Sequence, residues 1–270
     1  MKITVLVDNN TYIDRYYLAE PAVAYFIKDG EMRLLFDTGY SDVFLRNAHT
    51  LDIDLKNMTY LVFSHGHNDH TGGLKYLSSA LNCQNTNLIA HPDCFAPKYD
   101  DNGKYIGSPF TEAEISDIFH FMPAREPLWL SPKLLFLGEI TQSHSWEARC
   151  AIGTIEKNGA KSPDYNYDDT ALVYLTDDDG IFIITGCSHS GIANIIAQAQ
   201  KLTGRTKISG ILGGFHLLED NERLHDTVDY LRSLELKMLY PAHCISLAAK
   251  AAMLKYLPIT EVGVGLKIEL

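Results

Sequence analysis

Four side chains able to bind a divalent metal, His65, His67, Asp69 and His70, fall within six residues, and no other feature of this sequence restricts its fold as much. A short apolar run, Tyr60-Leu61-Val62-Phe63, leads straight into them. It reads as a strand that would hold the following loop rigidly. Zinc and related divalent ions accept this mixture of nitrogen and oxygen donors. On a loop entering a helix, positions 65 and 67 can face one ion while 69 and 70 face a second. The ordinary alternative is a polar helix start with Ser64 or Asp69 as its cap. Three imidazoles in so short a span argue against it.

The rest of the chain shows the same pattern twice. Ala22-Val23-Ala24-Tyr25-Phe26-Ile27, the turn Lys28-Asp29-Gly30-Glu31 and Arg33-Leu34-Leu35-Phe36 predict a hairpin ending at Asp37-Thr38-Gly39. Ala171-Leu172-Val173-Tyr174-Leu175, the turn Asp177-Asp178-Asp179-Gly180 and Ile181-Phe182-Ile183-Ile184 predict another, ending at Thr185-Gly186-Cys187. Each is followed by a helical stretch and by apolar runs that stop at histidines. These are His65 and His91 in the first half, His216 and His243 in the second. Strands alternating with helices indicate a layered α/β architecture, and the doubling suggests two sheets packed face to face with helices outside. One domain over residues 1–270 is expected. The span of about 92–135, rich in Pro, Tyr and Asp, reads as an inserted lid that closes over the site.

Bulk properties narrow the function. A net charge of −11 disfavours nucleic-acid binding, which needs clustered Lys and Arg, so a small-molecule substrate is the expected partner. No apolar run reaches membrane-spanning length, and Asp8 interrupts the N-terminal apolar run too early for a signal peptide. A cytoplasmic protein is expected, with no membrane partner. Five scattered cysteines, Cys83, Cys94, Cys150, Cys187 and Cys244, argue for reduced thiols rather than a disulfide framework. Oligomeric state stays open.

His65-Gly66-His67-Asn68-Asp69-His70 followed by Thr71-Gly72-Gly73 resembles the HxHxDH signature of the metallo-β-lactamase superfamily, and Asp37 matches that superfamily's upstream Asp. The resemblance implies a four-layer αββα sandwich built from two similar halves, with a dinuclear site at one edge. It also implies that Asp37 braces the histidine loop, although a turn-forming Asp is nearly as good a reading. Gly138-Glu139-Ile140, Thr185-Gly186-Cys187-Ser188-His189-Ser190-Gly191, Gly213-Gly214-Phe215-His216 and Pro241-Ala242-His243-Cys244 resemble one branch of the superfamily. That branch holds the 7,8-dihydropterin-6-methyl-4-(β-D-ribofuranosyl)aminobenzene-5'-phosphate synthase-like proteins. The branch commonly continues Gly-Glu-Ile with Pro-Arg, whereas this chain has Thr141-Gln142. If that Arg serves an anionic substrate group in the branch, phosphate recognition here uses other residues or is absent.

Each ion needs about three protein ligands and an open position. His65 and His67 leave one vacancy, and the histidine that many superfamily members place before the second hairpin is missing between His144 and His189. His189 is the expected third ligand. Cys187 stands where many members carry a bridging Asp, and either a ligand thiolate or an inert buried thiol fits it. Asp69 and His70 need a partner, for which His243 is expected. His216 is read as a substrate contact or general acid and Asp69 as the proton acceptor. His91, His49, His120, His144 and His225 are read as loop, surface or packing residues.

Two divalent transition-metal ions are therefore expected, zinc first, with manganese or iron as alternatives. The expected function is hydrolysis of an ester, phosphoester or related bond of a small organic substrate by a hydroxide bridging the ions. The alternatives are a pterin-condensing synthase and a noncatalytic ligand-sensing module.

Overall fold

Both hairpins are present in the computed structural model, which describes all 270 residues. Ala24–Asp29 pairs antiparallel with Met32–Phe36 across the two-residue connection Gly30-Glu31. Gly30 takes φ +57° there, a backbone region glycine enters without steric cost. Ala171–Leu175 pairs antiparallel with Ile181–Thr185, and Asp179 takes the left-handed position in their longer connection.

The chain divides into two compact units, one comprising 1–125, 151–164 and 262–270, the other 126–150 and 165–261. In the first, a seven-stranded sheet runs in the order Lys267–Glu269, Lys2–Val7, Ala24–Asp29, Met32–Phe36, Tyr60–Val62, Asn87–Ala90, His120–Pro123. Its strands are antiparallel as far as Met32–Phe36 and parallel from there on. In the second unit, a six-stranded sheet runs Leu239–Pro241, Ile208–Gly213, Ile181–Thr185, Ala171–Leu175, Leu134–Phe136, Leu128–Trp129. Ile181–Thr185, Ile208–Gly213 and Leu239–Pro241 are parallel to one another.

Parallel neighbours require crossovers, and helices supply them. Val43–Thr50 and Leu74–Ala80 serve the first sheet, Ile192–Thr203 and Glu222–Ser233 the second. In the second unit Ile192, Ile195, Ile196 and Ala199 of one such helix join Ile183 and Ile211 in a buried apolar cluster. Every residue of Ile208–Gly213 is buried, as a strand covered on both faces demands. Because the parallel strands of each sheet end on the same side, the loops that follow them gather at one edge. Asp37, the 64–70 loop and His91 follow three such strands in the first unit; Cys187 and His189, His216, and His243 follow three in the second.

The span of about 92–135, expected as one inserted lid, is instead shared out. His120–Pro123 extends the first sheet parallel to Asn87–Ala90, while Leu128–Trp129 and Leu134–Phe136 belong to the second. His120–Pro123 has no β-branched residue and ends in proline, and half of its positions are exposed, so it carries no alternation to read. The remainder includes a 3-10 turn Pro92–Phe95 and a helix Glu112–Ile118 opened by a Thr111/Glu114 capping box. Lys98–Tyr99 joins Thr154–Lys157 and Ala160–Pro163 in a small third sheet.

This third sheet carries a buried ion pair. Lys98 Nζ lies 2.6 Å from Asp164 Oδ2, with the two side chains 0% and 3% exposed. No helix is long and apolar enough to cross a membrane, and no cysteine is in a disulfide. Removing one partner of a buried pair takes the opposite charge away from the other, so Asp164→Ala should lower the unfolding free energy by about 3–5 kcal/mol. Urea denaturation followed by circular dichroism checks this; an unchanged midpoint would contradict it.

Candidate metal centre

In the first unit the strand Tyr60–Val62 delivers its chain into a loop with no room for slack. A Cβ on Gly66 would stand 2.0 Å from the Cys94 carbonyl oxygen, so residue 66 must be glycine for the 92–98 segment to back the loop. Asn68 N–H donates to Ile106 O at 2.8 Å, and Thr38 N–H and Oγ1 donate to His70 O at 2.8 and 2.9 Å. The loop is tied on both sides before any side-chain chemistry begins.

Asp37 ties it again. Wholly buried and held at φ +59°, it accepts from Ser64 N–H at 2.8 Å on Oδ1. Its Oδ2 accepts from Ser64 Oγ and His70 Nδ1, both at 2.7 Å. With Nδ1–H committed to a carboxylate, His70 presents Nε2 as a lone pair, and Asp69 Oδ2 lies 3.6 Å from it. The expected bracing role of Asp37 is what these bonds perform.

His65 is set by the same logic. Its Nδ1 lies 3.0 Å from Ser64 Oγ, whose own proton goes to Asp37, so Nδ1 donates and Nε2 carries the lone pair. That Nε2 faces His67 Nδ1 at 3.0 Å. Two imidazole nitrogens on one tetrahedral zinc, each about 2.0–2.1 Å from it, stand about 3.3 Å apart. The spacing and the donor chemistry therefore fit a shared ion. His65 and His70 are fully buried and His67 nearly so, which keeps water from competing.

In the second unit the strand Ile181–Thr185 leads into Gly186-Cys187-Ser188-His189-Ser190-Gly191. Ser188 adopts φ +58°, bonds Thr185 Oγ1 at 2.9 Å and donates to Gly214 O at 2.6 Å. Ser190 donates both its N–H, at 2.9 Å, and its hydroxyl to Oδ2 of Asp169. Asp169 is fully buried, and that burial raises its carboxyl above the ordinary range against the opposing pull of Arg149 and Ser190. Cys187 and His243 offer ligand atoms within 4.8 Å of each other. The His189 and His216 rings are 4.5 Å apart, centroid to centroid. His216 and His243 both take positive φ, +47° and +53°. Non-glycine residues held there cost about 1–3 kcal/mol each and cluster where a side chain must be aimed.

Asp169 was not among the residues singled out from sequence, nor was Glu147. Glu147 Oε2 accepts from Ala193 N–H at 2.7 Å and Asn194 N–H at 3.1 Å, capping the helix Ile192–Thr203 from outside it. A Cβ on Gly191 would collide with that carboxylate at 2.3 Å. The Asp168-Asp169 pair just before the second hairpin was a visible signal, being acidic at the edge of an apolar run. Glu147 carried no local signal. The set-aside histidines have ordinary duties: His91 caps the Pro92–Phe95 turn, His120 bonds Asn87 at 2.7 Å, His144 stacks with Trp146 and Tyr230, and His225 pairs with Asp220.

Comparisons with known proteins agree with this architecture. The family model described as the metallo-beta-lactamase superfamily matches residues 18–110. A 7,8-dihydropterin-6-methyl-4-(beta-D-ribofuranosyl)-aminobenzene-5'-phosphate synthase of Methanocaldococcus jannaschii is 30% identical over 228 residues, covering 81% of this chain and 77% of that protein. An uncharacterised protein of the same organism, MJ0448, is 33% identical over 255 residues, covering 92% and 91%. The crystal structure of Tm1679, described as a metal-dependent hydrolase of the beta-lactamase superfamily, superposes with a TM-score of 0.85 at 28% identity, over 100% of this chain and 99% of that one.

Burial pushes the Glu147 carboxyl from 4.5 up to about 7, against the helix N–H groups of Ala193 and Asn194 and the charge of Arg223. A folded pKa above the unfolded one favours the protonated form. Its stability contribution is thus present below pH about 4.5 and lost as pH rises through about 7, on the order of 3 kcal/mol. Unfolding measured across this window should lose that dependence in Glu147→Gln; an identical pH profile would contradict the assignment.

Proposed function

The chain belongs to the metallo-β-lactamase superfamily, and from that premise we propose that it is a dinuclear metallohydrolase acting on an ester, phosphoester or related bond of a small organic substrate. The observation that carries this reading is the pairing of donors in the first unit, His65 with His67 at 3.0 Å and Asp69 with His70 at 3.6 Å. We assign His65, His67 and His189 to one ion and Asp69, His70, Cys187 and His243 to the other. Imidazoles with a thiolate favour zinc over harder ions, with iron or manganese as the alternatives.

Bound there, two divalent ions supply an acidified water as nucleophile and a Lewis acid for the substrate's oxygen. Asp37 fixes the His70 tautomer, and Ser64 fixes that of His65, so neither ring must reorient during turnover. Asp69, still partly accessible at 29%, orients the water and takes its proton on a carboxylate oxygen. His216, held at positive φ beside His189, delivers a proton from its ring to the leaving group. With an acidic chain the substrate is a small molecule rather than a nucleic acid.

A second reading has a specific observation behind it. The Methanocaldococcus jannaschii synthase matched at 30% identity joins its substrates by name rather than cleaving them. In that case the same residues would stabilise a departing anionic group instead of activating water.

Elemental analysis should find close to two ions per chain after reconstitution, and chelation should abolish turnover of an aryl phosphodiester. His189→Ala should lose about one ion and most activity, whereas Cys187→Ser should keep both more nearly. The reverse ranking would move the ligand role to Cys187. His216→Asn should keep both ions and lower kcat by about 10²–10⁴. No hydrolysis of any ester or phosphoester by the two-ion protein, alongside condensation of a pterin pyrophosphate with an arylamine, would replace the hydrolase reading with the second one.

A further inference from the structure

Beside the histidine loop, within the first unit, lies a cavity of about 220 Å³ whose walls come from three separate stretches of chain. Tyr40 follows the first hairpin, Lys75 and Tyr76 lie on the helix Leu74–Ala80, and Tyr105 precedes Ile106, whose carbonyl accepts from Asn68 N–H. Asn68, between His67 and Asp69, forms part of the same wall. The three tyrosines are 49%, 43% and 42% exposed, an unusual loss of burial for such large side chains to converge on one concavity. Tyr105 is immobilised: its hydroxyl donates to Ser108 O at 2.6 Å and its ring meets Tyr99 edge-on at 5.5 Å. The backbone is drawn tight beneath, since a Cβ on Gly72 would stand 2.5 Å from Asn68 O and 2.6 Å from Tyr40 O.

We propose that this cavity seats a flat aromatic ring of an anionic substrate, with its reacting bond extending from Asn68 towards the neighbouring metal donors. Tyrosine faces pair best with flat rings in offset or edge contacts. Cages of tyrosines also take organic cations, but Lys75 stands in this wall and no carboxylate does, so a cation is repelled and an anionic substituent is attracted. The Asn68 carboxamide, one donor and one acceptor group, can read polar atoms at the ring edge. At about 220 Å³ the cavity is below the roughly 300 Å³ at which sites for whole drug-sized ligands begin, so it holds one ring and not the molecule. Asn68 lies between His67 and Asp69 in the chain, so this wall of the cavity belongs to the same loop as those donors. The inference rests on the metallohydrolase reading for what happens to the substrate, and on the cavity alone for what binds.

The test is binding of benzylphosphonate and cyclohexylmethylphosphonate, which have the same number of carbons, to the metal-loaded protein by calorimetry. Both carry the same non-hydrolysable anion, so any contact of the anion with metal cancels and only the ring differs. The benzyl compound should bind about ten-fold more tightly. Tyr76→Ala should erase that ratio, Tyr76→Phe should retain it, and Lys75→Gln should weaken both compounds by a similar factor of a few. Equal affinities in the wild type, or a ratio that survives both Tyr76→Ala and Tyr105→Ala, overturns the proposal. Turnover of an aryl phosphodiester is measured separately. Ring preference without turnover sinks the hydrolase reading and leaves the cavity assignment standing; turnover without ring preference does the reverse.

Discussion

The Asp37 carboxylate is the interaction on which the rest of the first unit's chemistry depends. Its two oxygens receive three protons, from Ser64 N–H, Ser64 Oγ and His70 Nδ1, each within 2.8 Å. Three hydrogen bonds offset the hydration that this buried carboxylate gives up; an uncompensated buried charge would be far costlier. Two strands end where these bonds form, Met32–Phe36 at Asp37 and Tyr60–Val62 just before Ser64, and their parallel pairing brings the two ends together. Sheet register therefore sets the tautomers of His65 and His70, 28 and 33 residues downstream of the carboxylate. The left-handed backbone of Asp37 is a strain the sheet can sustain because those bonds over-determine it.

The second unit repeats the device with different parts. A buried Asp169 accepts the N–H and hydroxyl of Ser190, as Asp37 does with Ser64, but here the serine follows the histidine instead of preceding it. Glu147 then caps the helix that begins three residues after His189, and Gly191 has no side chain because the carboxylate occupies that space. Gly214 N–H donates to Gly186 O and Ala242 N–H to Gly213 O, both at 2.8–2.9 Å, so the ends of the three parallel strands are laced together. Cys187, His216 and His243 each stand within a few residues of that lacing. Side chains with little freedom lose little entropy when they bind an ion, which is what a preorganised site requires.

What could be read in the sequence was what lies close together along it. Both hairpins announce themselves through a turn between two apolar runs, and the cluster from His65 to His70 is a single continuous motif. Asp37 was identifiable by resemblance, yet its three bonds, to residues 27 and 33 positions away, were not visible in any local pattern. Glu147 illustrates the limit more sharply: it caps a helix 46 residues on, and nothing around Trp146 and Glu147 suggests it. The stretch 92–135 misled because His120–Pro123 is a short edge strand with mixed exposure, and because its proline and tyrosine content resembles a loop. Part of it backs the metal loop through Cys94 and Ile106, a supporting role that composition does not distinguish from a cover.

Anomalous diffraction from crystals of the zinc-reconstituted protein, collected on both sides of the zinc absorption edge, addresses the central claim most directly. The account predicts two anomalous peaks per chain about 3.5–4 Å apart, one bonded to His65, His67 and His189 at about 2.0–2.1 Å and the other to Asp69, His70, Cys187 and His243. Fully occupied crystals with a single peak, or with peaks that leave His65 Nε2 or His70 Nε2 uncoordinated, would contradict it.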